Sequence, residues 1–185
     1  MVRRLNRLWL AFAFIVAGGH ALPAQNAPGS EPETVLSVDL DRYMGLWYEF
    51  ARLPNQFQRQ CVRATTAEYS MRGDGRIDVV NRCLRDDGSV DEARGIARVV
   101  DETTNARLEV SFVRFLGRNL FWGDYWVVGL GSDYEYAIVG TPDRKYGWLL
   151  TREPEVSEDL EDEMFFVLEK KGYRHTDFVL SPQTR

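Results

Sequence analysis

Cysteine, histidine and the carboxylates are the side chains of this chain that could carry a reaction, and there are two cysteines, two histidines and 28 acidic residues. A serine or cysteine nucleophile needs a base within reach. His20 sits in a stretch that export would remove, and His175 lies beyond the last predicted helix, so no nucleophile–base pair is expected inside the fold. The histidines and cysteines do not cluster as zinc requires, and no histidine is placed to hold a haem iron. No metal, no cofactor and no enzymatic activity are therefore expected. Glu49 is the one carboxylate that strand periodicity turns inward. Burial would raise its pKa and suit it to acid or base work. A simpler role is to bond tyrosine or asparagine neighbours or a polar group brought in by a ligand.

Cys61 and Cys83 are the only cysteines. In an oxidising compartment they permit one disulfide. Cys61 begins one strand-like run and Cys83 ends the next, so both fall at the same end of a hairpin. Counting through that hairpin sets position 61 nearer 86–88 than 83, an offset that the loop before Cys61 can absorb by bending. An intramolecular disulfide is favoured on this count; two free thiols or an intermolecular bridge stay open.

The elements that must position these residues begin after a leader. Residues 1–24 carry three arginines, an apolar run from Leu8 to Gly18 and then small residues. That is the order of a signal peptide, and the run is too short to cross a bilayer comfortably. Cleavage is expected after Ala24, or after Ala21. With no cysteine just behind the apolar run, the chain is read as exported to the periplasm, outer-membrane associated or secreted, and not as a lipoprotein. The leader holds three of the 23 basic residues and none of the 28 acidic ones, leaving 161 residues with a net charge of −8. That balance argues against nucleic acid as a partner, and the length suits one core. No oligomeric state follows from it. Residues 25–37, polar and containing Pro28 and Pro32, read as a flexible tether.

From 46 to 151 the chain alternates short aromatic and β-branched runs with turn signals. Eight runs are predicted as strands: 46–52, 63–71, 76–84, 92–100, 107–113, 125–130, 135–140 and 146–151. Arg72-Gly73-Asp74-Gly75 and Asp86-Asp87-Gly88 mark tight turns. No interval has room for a crossover helix, so each strand pairs with the next. One helix follows at 157–171, capped by Ser157, acidic in its first turn and basic in its last. Leu160, Met164, Val167, Leu168 and Lys171 share one side, which packs on the outside of the sheet. A final run at 177–181 adds to an edge, and 182–185 is a tail. The fold class is all-β: an eight-stranded up-and-down antiparallel barrel with one C-terminal helix packed outside.

Strand parity brings Gly45 and Trp47, Ser132-Asp133-Tyr134, and Arg152 to one pole. There Trp47 can plug the floor with the Arg152 guanidinium across its indole, a contact worth roughly 0.5–2 kcal/mol. These residues resemble the three signature motifs of the lipocalin family, G-x-W, T-D-Y (serine replaces the threonine here) and a late arginine. LDRYMGLWYEFARLPNQF, GDYWVVGL and GTPDRKYGWLLTREP are similar to the bacterial branch related to apolipoprotein D, over about residues 38–181. In that family the motif residues are structural. The resemblance implies storage or carriage of a small hydrophobic ligand, a fatty acid or lysophospholipid, within the cell envelope. An enzyme on the same barrel, acting on a lipid-like substrate through Glu49, is the alternative.

Period two anchored on Trp47 sends Glu49 and Ala51 inward. The family-like phase does the same for Ala67, Tyr69, Val79, Asn81, Phe112, Tyr125, Val127, Tyr136, Ile138, Trp148 and Leu150, the expected ligand lining. Alanine and valine leave space, and tyrosine and asparagine supply polar handles. At the opposite pole the loop 114–124 is unusually apolar; it either folds back on the barrel or forms a lip for transient membrane contact. A membrane-embedded barrel is not expected. Arg76, Asp78, Arg82, Arg94, Arg98, Arg107 and Glu109 crowd the strands, and a charge at mid-bilayer costs ~2–4 kcal/mol.

Overall fold

The computed structural model describes residues 30–183. The leader assigned to 1–24, the first residues of the 25–37 tether and the last two of the 182–185 tail lie outside them. Eight strands form an antiparallel meander: β1 (Gly45–Arg52), β2 (Arg63–Met71), β3 (Ile77–Leu84), β4 (Val90–Val99), β5 (Arg107–Ser111), β8 (Gly123–Leu130), β9 (Tyr136–Gly140) and β10 (Gly147–Thr151). β10 closes the barrel on β1, with Tyr48 opposite Thr151 and Arg52 opposite Trp148. Closure pairs the two edges that an open sheet would leave exposed.

Ser111 ends β5 earlier than the run 107–113 suggests. Its hydroxyl, fully buried, donates to the carbonyls of Val113 and Leu120. The chain then leaves the barrel as a separate hairpin of β6 (Val113–Phe115) and β7 (Arg118–Leu120). β11 (Val179–Leu180) joins β1 opposite Ala51 and Arg52, beyond the point where β2 has parted from it. The tail does not trail free there: Ala64 N donates to Pro182 O, and Gln183 Nε2 to the carbonyls of Glu49 and Thr65.

Part of the expected tether is ordered as well. Ser30 O accepts from Arg144, Val35 N donates to Val127 O and Val38 N to Thr104 O, with Pro32 and Val38 buried. Two apolar side chains and paired backbone groups offset the ordering that a purely polar linker would not support. This segment leads into α1 (Leu40–Tyr43), capped by the Asp39 carboxylate, which accepts from the amides of Asp41 and Arg42. The short helix closes the lower pole.

The described residues form two hydrophobic cores. One fills the barrel around Trp47, Tyr69, Val79, Val127 and Leu150. The other lies between the sheet and α2 (Glu158–Lys170), where Met164 and Leu168 are fully buried against Trp126, Val128, Ile138 and Leu149. Ser157 Oγ accepts from Leu160 N at the start of α2. Gly129 sets the helix-to-sheet distance: a Cβ there would sit 2.9 Å from Ile138 Cδ1 and 3.0 Å from Val167 Cγ1.

The Cys61–Cys83 disulfide is formed, with the Cα atoms 5.5 Å apart across 22 residues. It ties the loop after β1 to the end of β3. Closing a loop of this length restricts the unfolded chain by about 3 kcal/mol. The paired substitution Cys61→Ser with Cys83→Ser should lower the unfolding free energy by that much in urea denaturation; an unchanged midpoint would show that the bond adds nothing to stability.

Candidate functional site

The floor is built from β1, the end of β10 and the turn before β9. The Arg152 guanidinium carbon lies 3.7 Å from the Trp47 ring centroid. Its Nη1 donates to Leu46 O at 2.9 Å and its Nη2 to Arg42 O at 2.6 Å. Trp47 Nε1 donates to Tyr43 O at 2.9 Å, so the indole is held on both its face and its edge. Gly45 turns the chain into β1 at φ +96°, a backbone conformation that residues with a side chain rarely adopt. Tyr134, also at positive φ, accepts from Asp39 N at 2.8 Å and carries Arg42 over its ring, while Ser132 O accepts from Arg42 and Asp133 N donates to Glu135. The three signature motifs thus join the floor to the N-terminal segment.

Directly above, Tyr125 Oη lies 2.8 Å from Tyr43 Oη and 2.9 Å from Tyr69 Oη. Burial pushes all three phenols up, Tyr69 to about 12. The triad borders an internal cavity of about 20 Å³, whose other walls are Met44, Ile77, Val79, Ala97, Leu108 and Val110. Pockets for drug-sized ligands measure about 300–1,000 Å³, so side chains must shift to admit a long tail.

Of the expected lining, Ala67, Tyr69, Val79, Val127 and Leu150 belong to the inner core, with Tyr125 and Trp148 packed against it. Asn81 pairs across from Ala67 on the same face. Three residues belong to the outer core under α2 instead: Ala51, Tyr136 and Ile138. A bulge between Glu49 and Ala51 reverses the phase of β1 and turns Arg52 inward in place of Ala51. In β9 the inward residues are Ala137 and Val139. Tyr-Ala-Ile-Val is apolar on both faces because α2 covers the outer one, so alternation there carries no phase. Phe112, at 41% exposure, lines an outer groove with Arg72, Arg94 and Arg114. Tyr43 and Met44, which precede the first strand, were not among the expected lining; Asp39, a residue type that caps helices, is the signal that could have found the element there.

Glu49 is 3% exposed and fully engaged. Its Oε1 accepts from Arg52 Nη1 at 2.8 Å and from the Ser181 hydroxyl, and its Oε2 accepts from Gln58 Nε2 at 2.6 Å. Gln58 Oε1 accepts in turn from Trp148 Nε1 at 2.9 Å and Asn55 Nδ2 at 2.8 Å. Tyr146 stacks on Trp148, and Phe57 leans on Tyr146, covering the upper end. His175 lies outside, its Nδ1 2.5 Å from Glu169 and its ring beside Phe165. Cys61, Cys83 and Asp91 sit close enough to suggest a metal site, but both sulfurs are committed to the disulfide.

The profile of the Lipocalin-like domain family matches residues 38–183. Outer membrane lipoprotein Blc of Escherichia coli K12 is 36% identical over 146 residues, covering 78% of this chain and 79% of that protein. Apolipoprotein D of Bos taurus is 35% identical over 132 residues, 70% and 64% of the two chains. Insecticyanin of the tobacco hornworm Manduca sexta superposes with a TM-score of 0.68 at 21% identity, covering 84% of this chain and 85% of its own. The Blc relatives correct one expectation: proteins this similar are named outer membrane lipoproteins, so the reading of the chain as a non-lipoprotein does not stand.

Arg152→Ala removes the stacked cation and two charge-assisted bonds and should destabilise the fold by about 2–4 kcal/mol in urea denaturation. A loss below about 0.5 kcal/mol would remove Arg152 from the floor's support. The phenols set an alkaline limit. Tyr69 ionises near 10 when unfolded and near 12 when folded, so stability present below pH 10 is lost as the pH rises toward 12. Tyrosinate absorbance from the triad should appear only together with loss of the folded circular-dichroism signal; titration of all three in the folded chain would contradict their burial.

Proposed function

The chain belongs to the lipocalin family, and from that membership we propose that it reversibly encloses a fatty acid or lysophospholipid and stores or carries it in the cell envelope, without catalysis. The observation that carries this reading is the closed barrel with a mostly apolar inner wall and a small set of polar groups: the tyrosines near the floor, Asn81 on the wall and the Glu49 network at the upper end. Glu49 supports the non-catalytic part, since both its oxygens already accept hydrogen bonds from neighbouring side chains. A carboxylate already bound by Arg52, Ser181 and Gln58, with no partnered nucleophile beside it among the described residues, lacks the constellation that catalysis requires.

Loading starts from an interior that is nearly full. Phe57, Tyr146 and Trp148 stand over the upper end, held by ring contacts and one indole bond to Gln58. Their displacement would expose the inner wall, and burying a twelve-carbon tail offers roughly 10 kcal/mol gross before ordering costs. The β6–β7 hairpin, whose Arg114 and Asn119 share a groove with Arg72, Asp78 and Arg94 on the outer face of the barrel, projects Phe115, Leu116 and Phe121 at 63%, 86% and 81% exposure. This greasy tip with its cations supports transient contact with a membrane from which ligand is drawn.

Native mass spectrometry of protein purified from its own envelope should reveal a bound single-chain lipid; ligand-free protein that also fails to take up such lipids in vitro would sink the proposal. Trp148→Ala should weaken a fluorescent fatty acid by about tenfold in protein that keeps its folded circular-dichroism signal. Unchanged affinity would remove Trp148 from the ligand's path.

A further inference from the structure

Ser111 roots the β6–β7 hairpin, and Gly95 decides how closely it seats. A Cβ at Gly95 would lie 2.7 Å from Phe112 Cδ1 and 2.8 Å from Ser111 O, so a side chain there would push the hairpin's root off β4. Between the hairpin and the outer face of β3 and β4 an open groove of about 190 Å³ remains. Arg72, Arg94 and Arg114 line it with Asn119, and Asp78 is its one carboxylate. That carboxylate is answered, since Asp78 Oδ1 accepts from Arg72 Nη1 at 2.8 Å. Arg94 gives Glu92 only its Nε, at 2.8 Å, and Glu92 is shared with Arg82. Both terminal nitrogens of Arg94 are left over. The Arg114 guanidinium and the Asn119 side-chain amide have no partner among the described residues. The groove thus sets three cations against one anion, on a chain whose formal net charge is −5, and most of its N–H donors are unspent.

We propose that this groove seats the phosphate of a membrane phospholipid and so holds the β6–β7 hairpin against the bilayer. Forked guanidinium donors match phosphate oxygens in pairs. A volume several times the roughly 30 Å³ share of one water admits a phosphodiester. The neighbouring side chains choose a lipid over a soluble anion. Phe115 and Leu116 follow Arg114 directly and are exposed, and a free phosphate would cover neither. At about 3.3 Å per residue, Leu116 reaches ~7 Å beyond Arg114, the depth to which apolar side chains enter the boundary between head groups and acyl chains. Groove and tip together fit a molecule that is phosphate at one point and hydrocarbon a few ångströms deeper. The seat rests on the membrane contact proposed above and adds to it the head-group chemistry and the orientation, with the hairpin side of the barrel turned toward the bilayer.

The test uses the full chain and sucrose-loaded vesicles, pelleted to measure bound protein. One set is digalactosyldiacylglycerol alone, which carries no phosphate; the other adds phosphatidylglycerol. The wild type should bind the phosphate-bearing set about tenfold more tightly. Arg94→Gln with Arg114→Gln, both exposed positions, should remove that preference while the folded circular-dichroism signal persists. Phe115→Ser with Leu116→Ser should weaken binding to both sets. Lys145→Gln with Arg174→Gln takes the same charge from exposed ion pairs elsewhere and should keep the full preference. An equal loss in that control would reduce the effect to overall charge and overturn the seat. Equal wild-type binding to both sets would also overturn it, while the membrane contact would stand. Calorimetric binding of inorganic phosphate that the arginine pair carries, with no preference between vesicles, would make the groove a site for a soluble anion instead. Binding to neither set removes contact and seat together, and leaves the carrier reading to a fatty-acid titration without vesicles.

Discussion

The rest of the structure depends on how the barrel's lower end is sealed. A closed sheet of eight strands leaves an opening at each pole, and at one of them the Trp47 indole fills the gap with Arg152 stacked on its face. The guanidinium also binds the carbonyls of Leu46 and Arg42, one in β1 and one in α1. The same group thus holds the plug in place and pins the segment that crosses beneath it. Because Trp47 Nε1 reaches Tyr43 O, the plug and the crossing segment are one unit. Tyr43 can stand inside the barrel only because that unit holds its backbone below the floor.

Sealing one pole makes the two ends of the barrel chemically different. Just above the floor the inward polar groups are three phenols in an otherwise apolar wall. Toward the upper end they are an ion pair and two amides, Glu49, Arg52, Gln58 and Asn55, joined to the indole of Trp148 and to Ser181. An ion pair taken out of water is tolerated when its lone pairs are matched, and the four bonds into Glu49 and Gln58 that surround it meet that condition. The C-terminal tail takes part, since Ser181 enters the network and Gln183 fills the seam where β1 and β2 separate. The upper end is consequently assembled from segments far apart in sequence, held by hydrogen bonds and ring contacts that can be exchanged for others.

The second core, under α2, explains the uneven wall. β8, β9 and β10 are buried on both faces, by the barrel interior and by Met164 and Leu168 of the helix. β3 and β4 instead expose charged outer faces, where Arg82 pairs with Glu68 and Glu92. Such surface pairs add little stability each, but they keep the outer face of those strands wet and assign their inner face without ambiguity.

That difference marks what the sequence by itself determined. On strands with one wet face, the alternation in residues 63–71 and 76–84, read in the family-like phase, gave Ala67, Tyr69 and Val79 as inward, and the turns, the C-terminal helix and the three signature motifs were legible as local patterns. Tertiary structure decided the rest. Ala51 left the lining through a bulge that has no residue signature, and Tyr136 and Ile138 left it because a helix far along the chain covers the outer face of β9. The ordering of residues 30–38 and the entry of Tyr43 and Ser181 into the interior also followed from long-range packing. Periodicity reports which side of a strand meets water; where both sides are dry, or where one residue is inserted, the side is chosen by what packs against it.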